Sequence, residues 1–325
     1  KHRVMLISQN SCAALSKYID SGERKIFCSS LYLSAKWMVI SQVVKKGLHI
    51  VVLPDKESAE YCCSDLYSFV DGDNVFFLPE SGKNIERSNY KSSLAVQRTS
   101  ALSRILSGEE NLTIIVTYSS ALSENIPSGN TISSDRMIIK RGDEISHDSL
   151  SEKLYEKGFE KVDFVSEPGQ YAIRGSIIDI FSFSNNYPYR ISLWGDEIEK
   201  INTFDCNTQL SKDDVSEVEI ISEVLSSPEE EGDCLLSMLD RNTVLWLDSS
   251  DIYSQEQWFK NWSESFVRVF LDIPPSFDKG ELSVKFQISP QPKFNKNFEL
   301  LTEDIRSRIE NSYKVLIYSE KESQL

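Results

Sequence analysis

Between Lys25 and about Lys140, short β-branched and apolar runs alternate with helix-length segments, the pattern of a parallel sheet covered by helices. The strand candidates are Lys25–Cys28, His49–Leu53, Val75–Leu78, Leu112–Thr117 and Met137–Arg141. Helices are predicted at Ser34–Val44, Lys56–Phe69 and Ser92–Leu106, the last because Leu94, Val96, Ala101, Leu102 and Ile105 recur at helical spacing. Past Gly142 the pattern changes. Ser146-His147-Asp148 can cap a helix running to Lys157. Tyr171–Phe183, Tyr189–Trp194 and Glu197–Phe204 then read as successive antiparallel strands, separated by the turn-forming Ser184-Asn185-Asn186-Tyr187-Pro188 and Gly195-Asp196.

A polar, acidic connection spans Ser222–Asp233, after which Thr243–Asp248 reads as a buried strand and Tyr253–Phe266 as a helix carrying Trp258 and Trp262, suited to rejoin the first sheet. A second linker opens at Ile273, and Phe298–Tyr318 supplies one helix and one strand. A lone helix–strand pair cannot bury its own apolar face, so a further domain is expected to begin there. The pattern therefore predicts an α/β protein in four segments. Residues 1–145 form the first part of a parallel-sheet domain, 146–222 an inserted α+β antiparallel module, 223–282 the return of the first domain, and 283–325 the start of a following small α/β domain.

Composition narrows the class. The 325 residues exceed what one core comfortably fills, since single cores stop growing near ~250 residues. With 40% apolar and 26% charged residues the bulk is globular. The longest apolar stretches, such as Leu48–Leu53 and Leu112–Val116, fall far short of a membrane span. The apolar run near the first residues is shorter than a secretory h-region, and a cytoplasmic location is expected. Six cysteines, Cys12, Cys28, Cys62, Cys63, Cys206 and Cys234, are scattered without a C-x-x-C pair, which argues against zinc and disulfide frameworks. Fifty acidic against 35 basic residues leave a formal net charge of −15. That balance repels a phosphate backbone and makes nucleic acid a poor candidate for the main partner.

A parallel sheet invites a search for a nucleotide site in the turn after its first strand, where glycines let backbone amides wrap phosphates. The turn Cys28-Ser-Ser-Leu-Tyr-Leu-Ser-Ala-Lys36-Trp contains Lys36 but no glycine, so a working phosphate loop is not expected and Lys36 reads as a solvated helix lysine. The two Asp-Glu pairs, Asp143-Glu-Ile-Ser and Asp196-Glu-Ile-Glu, do not fit an acidic magnesium motif. No H-E-x-x-H, G-x-S-x-G or G-x-G-x-x-G motif occurs. No catalytic residue, metal or cofactor is expected for these segments.

The antiparallel module says more. In Tyr189-Arg-Ile-Ser-Leu-Trp194, strand alternation puts Tyr189, Ile191 and Leu193 on a core face and Arg190, Ser192 and Trp194 on the other. Arg174 precedes Gly175, a residue suited to bulge the strand and re-aim its neighbours. Arg and Trp are the side chains most enriched at binding hot spots, so the three suggest a docking face. The same spacing also allows Trp194 to pack under a helix or loop with Arg190 covering it.

The run Glu167-Pro-Gly-Gln-Tyr-Ala-Ile-Arg-Gly-Ser-Ile-Ile-Asp-Ile-Phe181, followed by Pro188-Tyr-Arg-Ile-Ser-Leu-Trp-Gly-Asp-Glu-Ile-Glu-Lys-Ile201 and Phe204-Asp205, closely resembles the homology module of the UvrB and Mfd (transcription-repair coupling factor) family. In that family the module binds UvrA, and the resemblance carries the contact role to Arg174, Arg190 and Trp194, the last where many relatives are expected to have phenylalanine. Residues 20–145 more loosely resemble the degenerate P-loop-NTPase-like domain of the coupling factors. UvrB carries an intact Walker A loop there and this chain does not, which sides with the coupling factors and against ATP binding by these segments. Residues 283–325, with Gln291-Pro-Lys-Phe-Asn-Lys-Asn-Phe-Glu-Leu-Leu, look like the opening of the small domain that follows. The resemblance thus implies a non-catalytic adaptor that recruits UvrA to stalled RNA polymerase for nucleotide excision repair. The polymerase and DNA would be engaged by other parts of the parent protein, where an ATP- and magnesium-dependent motor also lies. The alternatives are a UvrB-type DNA-dependent ATPase subunit and a purely structural brace for such a motor.

Overall fold

The computed structural model describes residues 9–81, 89–108, 111–126, 136–183, 185–223, 233–248, 257–271, 281–290, 292–295 and 297–315. Two compact units divide the chain at Ile288 and Ser289. The larger is built on seven parallel strands: β1 (Lys25–Ser29), β2 (Leu48–Leu53), β3 (Val75–Phe77), β4 (Thr113–Tyr118), β15 (Val244–Leu247), β16 (Val267–Phe270) and β17 (Ser283–Lys285). Their order across the sheet is β17-β1-β16-β15-β2-β4-β3. The central strands are rich in β-branched and apolar residues, Thr-Ile-Ile-Val-Thr-Tyr in β4 and Val-Leu-Trp-Leu in β15, and every residue of both is buried. A sheet covered on both faces requires that pattern.

One face packs against α1 (Gln9–Asp20), α2 (Ala35–Val43) and α3 (Lys56–Phe69) through Leu15, Trp37, Ile40, Cys62, Leu66 and Trp246. The other buries Phe27, Ile50, Leu102, Leu245, Phe259 and Phe270 beneath α4 (Asn89–Leu106) and the helix Gln257–Ser263. Asp55 starts α3 by accepting from the Ser58 amide at 2.8 Å, which satisfies one of the helix's unpaired first-turn donors.

Within this sheet His49 of β2 lies beside Trp246 of β15. The indole Nε1–H donates to His49 Nδ1 at 3.2 Å, and the Lys46 carbonyl lies 3.1 Å from Nε2. Because an indole only donates, Nδ1 must be the bare nitrogen and the proton sits on Nε2. Burial pushes the His49 pKa down from 6.5 to about 4.

The chain leaves the sheet domain at β5 (Asn125–Ile126) and returns at β14 (Asp233–Cys234), two segments that pair antiparallel with each other. Between them lies the β module: β6 (Met137–Lys140), a helix His147–Glu156, β7 (Glu160–Lys161), β8 (Gln170–Arg174), β9 (Ile177–Ile180), β10 (Tyr189–Trp194), β11 (Glu197–Phe204), β12 (Ser211–Val215) and β13 (Glu217–Ile220). Strands β7 to β12 form one sheet in the order β12-β11-β10-β9-β8-β7, antiparallel except for the parallel β7–β8 pair. Its inner face buries Tyr171, Ile178, Ile180, Tyr189, Ile191, Leu193, Ile198 and Ile201 against Leu150 and Leu154 of the helix and Ile139, Val218 and Ile220.

Several sequence expectations are corrected. Met137–Arg141 does not extend the parallel sheet: Met137–Lys140 pairs antiparallel with Glu217–Ile220, and Ile139 joins the module core. An apolar tetrapeptide carries no record of which sheet it joins. Tyr171–Phe183 is not one strand but the β8–β9 hairpin, turned at Gly175, whose φ of +60° is a backbone state open to glycine at little cost. The helix expected to run to Phe266 stops at Ser263 within the described residues, and Val267–Phe270 is a wholly buried strand. Ser283–Lys285, from the segment read by sequence as the opening of the next domain, pairs with β1 at the sheet edge. The α1 helix had no counterpart among the expectations.

The smaller unit contains a helix at Phe298–Glu310, capped by Asn297, whose side chain accepts from the Glu299 and Leu300 amides at 3.0 and 3.2 Å. The strand expected to follow it toward Tyr318 extends beyond the described residues, as do residues 224–232 and 272–280 of the two predicted linkers.

Candidate docking face

Two places carry the chemistry singled out in the sequence. The first is the C-terminal edge of the parallel sheet. Lys36 sits in the first turn of α2, just past β1, and its Nζ lies 2.5 Å from Oδ1 of Asp248, which directly follows β15. Both side chains are mostly buried, so Lys36 is an internal ion-pair partner and not the solvated lysine its sequence suggested. The turn between β1 and α2 reverses with Ser30 and Leu33 at φ of +59° and +49°, positions that a phosphate-wrapping loop fills with glycine.

The second place is the outer face of the module sheet. The alternation in β10 is as expected, with Tyr189, Ile191 and Leu193 buried and Trp194 80% exposed. Of the two arrangements that the spacing allowed, Trp194 packed beneath another element is thus ruled out. Arg190 stands opposite Asp179 of β9, and Asp179 stands opposite Ala172 of β8, two residues before Arg174. Three strands therefore bring Arg174, Asp179 and Arg190 together on one face.

Asp179 is only 1% exposed and receives both arginines. Arg190 binds it in the forked geometry, Nε to Oδ1 at 2.8 Å and Nη2 to Oδ2 at 2.9 Å, and Arg174 Nη2 donates to Oδ2 as well. Arg190 also donates to Gln209, to its Oε1 at 2.9 Å and its carbonyl at 3.2 Å, and its guanidinium lies 4.1 Å from the ring centre of the fully buried Phe204. The hydrogen bonds to Asp179 push the Arg190 pKa above the ordinary arginine value. These contacts engage four donor hydrogens of a group that has five, so Arg190 has little left to offer a visitor. Arg174 is less committed: it is one-third exposed, makes a single link to Asp179, and lies 4.7 Å from the ring centre of the exposed Phe164.

The loop before β8 is held at its base. Gln170 Oε1 accepts from the Ser166 and Glu167 amides at 2.9 and 3.0 Å. Gly169 has φ of +86°, and a Cβ there would meet the Phe183 ring at 3.1 Å, so Gly169→Ala should destabilise the module by more than 1 kcal/mol in a urea titration. Val165 is buried with Ala172 and Phe181.

The structure thus brings two of the three sequence-chosen residues, Arg174 and Arg190, onto one carboxylate and leaves Trp194 free on the same sheet face. Sequence reasoning missed the carboxylate. A signal existed: Asp179 is the lone charge in Ile177-Ile-Asp-Ile-Phe181, on the alternation phase that faces away from the core. For Phe164 no periodic signal exists, because it lies in a loop.

Among the described residues no helix is long and apolar enough to cross a membrane, and no group of three or more His, Cys, Asp and Glu could hold a metal ion. The family profile described as the UvrB interaction domain matches residues 137–224, the whole of the module from β6 onward. The chain is 31% identical over 177 residues, 54% of its length, to the transcription-repair-coupling factor of Bacillus subtilis, and 28% identical over 202 residues, 61% of its length, to that of Staphylococcus aureus. It is 26% identical over 186 residues, 57% of its length, to that of Haemophilus influenzae. These alignments cover only 15%, 17% and 16% of the three relatives' own lengths. Fold, module and relatives point the same way: residues 137–224 match the UvrB interaction domain, and the chain is similar over more than half its length to a short part of the transcription-repair-coupling factors.

Proposed function

We propose that the outer face of the β module docks UvrA, and that this chain is the non-catalytic adaptor through which a coupling factor brings UvrA to a stalled RNA polymerase for nucleotide excision repair. The observation that carries this reading is Trp194: an indole 80% exposed on a rigid strand, on the same face as a part-exposed arginine. Burying such a side chain against a partner recovers a large apolar area at little conformational cost. In this reading Arg174 and Trp194 touch UvrA, while Arg190 holds Asp179 and the floor of the face. Contacts to RNA polymerase and DNA belong to other parts of the parent protein.

The sheet domain is read as a degenerate P-loop fold acting as scaffold. Its reversal after β1 lacks glycine, and Lys36, the side chain that would meet a phosphate, is taken up by Asp248. Fluorescent ATP titrated with magnesium should show no saturable binding. Tight magnesium-dependent binding would favour the UvrB-type ATPase reading instead.

The deciding experiment is a UvrA titration monitored by anisotropy. Trp194→Ala and Arg174→Ala should each weaken binding about tenfold or more, with thermal unfolding unchanged for Trp194→Ala. If the unsubstituted chain does not bind UvrA, the structural-brace reading takes over. Equal binding by both folded variants would remove the assigned residues.

A further inference from the structure

Beside Trp194 and Arg174, one more side chain on this face has the character of a docking residue. Phe164 is 65% exposed, yet it is not on a loose loop: Val165 next to it is 2% exposed in the cluster with Ala172 and Phe181, and the amides of Ser166 and Glu167 are tied to Gln170. The ring is thus presented to solvent by a fixed backbone, and the Arg174 guanidinium sits 4.7 Å from its centre. On the other side of Arg174, Ile177 is its direct cross-strand neighbour and Ser192 is the neighbour of Ile177, two residues from Trp194. Arg174 thus has an exposed loop aromatic, Phe164, at its guanidinium, and across Ile177 and Ser192 the strand that carries the exposed Trp194.

We infer that Phe164 is a direct contact residue for the protein partner of this face, so that the docking surface runs from Trp194 across Arg174 to the loop before β8. This rests on the reading that the face docks UvrA. The matching partner surface has two apolar recesses separated by a carboxylate or carbonyl group able to take the free donors of Arg174. The cation–π contact with Phe164 restrains that guanidinium and spares part of the side-chain entropy that ordering it would otherwise lose. Partner contact and bracing of Arg174 are the two roles open to Phe164 here, and they separate in a double substitution.

The test is the same UvrA titration with Phe164→Ala, Arg174→Lys and the pair combined, each variant checked for its thermal midpoint. Phe164→Ala should weaken binding about tenfold with the midpoint unchanged, as its ring is mostly in water. In the Arg174→Lys background it should still weaken binding several-fold, because its own contact persists when the guanidinium is gone. Binding by Phe164→Ala within twofold of the unsubstituted chain would overturn the inference while leaving the Trp194 assignment intact. A loss seen only when Arg174 is present would reduce Phe164 to a brace and likewise overturn it. Failure of the unsubstituted chain to bind UvrA would overturn both this inference and the reading beneath it.

Discussion

Asp179→Ala should lower the unfolding free energy of this chain by about 3–5 kcal/mol, the range expected when one member of a buried ion pair is removed and its partner is left behind. The geometry places it at that end of the scale. The carboxylate is almost wholly out of water, it takes the forked Nε and Nη2 donors of Arg190 and a further donor from Arg174, and Arg190 itself is mostly covered. Deleting it takes from Arg174 and Arg190 the carboxylate they share, over a floor that includes the buried Phe204 ring. Asp179→Asn keeps the volume and one acceptor but cannot receive both prongs of Arg190, so roughly half that loss is expected. Urea titration followed by circular dichroism reads both values directly. Losses under about 1 kcal/mol for Asp179→Ala would mean that the arginines find water or other partners at no cost, and that the trio does not organise this face. Because the stability of a typical domain is only about 5–15 kcal/mol, the Ala variant should also lose the near-ultraviolet signature of the module at temperatures the parent tolerates.

That carboxylate also marks the limit of what the sequence alone makes legible. Strand alternation placed Tyr189, Ile191 and Leu193 inside and Trp194 outside, because a period of two is a local property of any strand with one buried face. The pairing that seats Asp179 between Arg174 and Arg190 is not local: it follows from the turn at Gly175 and the register Arg190↔Asp179. Reading Tyr171–Phe183 as one strand hid it, since an unbroken strand would never fold Asp179 back beside Arg174. The parallel sheet was legible in β1, β2, β3 and β4, whose apolar runs are bounded by helices of the expected length. No strand is predicted at β16, directly after the helix expected to end at Phe266, because Val-Arg-Val-Phe is short enough to suit either state. The turn before Lys36 holds no glycine, which is legible in the sequence, but its counter-ion lies more than two hundred positions away and follows only from the sheet order.

Acid should weaken the sheet domain through a single buried histidine, before general carboxylate protonation takes over. His49 is 5% exposed, and its imidazole holds a neutral tautomer between the Trp246 indole N–H and the Lys46 carbonyl. A proton arriving at Nδ1 would meet another donor, with Trp246 itself fully buried and unable to turn away. Desolvation therefore holds the folded-state pKa at about 4, below the unfolded value of 6.5. Folding favours the deprotonated form, so the unfolded chain binds the extra proton between those two values. The associated stability is fully present above about pH 6.5, falls as the pH drops through that window, and is gone below about pH 4. A shift of that size corresponds to about 3 kcal/mol. Urea titrations from pH 7.5 to pH 4.5 on the parent and on His49→Gln isolate it, since Gln can accept from the indole but does not titrate. The parent should lose about 2–3 kcal/mol more than the variant over that range. Parallel pH profiles would show that water reaches the imidazole in the folded state and that the His49–Trp246 contact is not sealed inside the sheet.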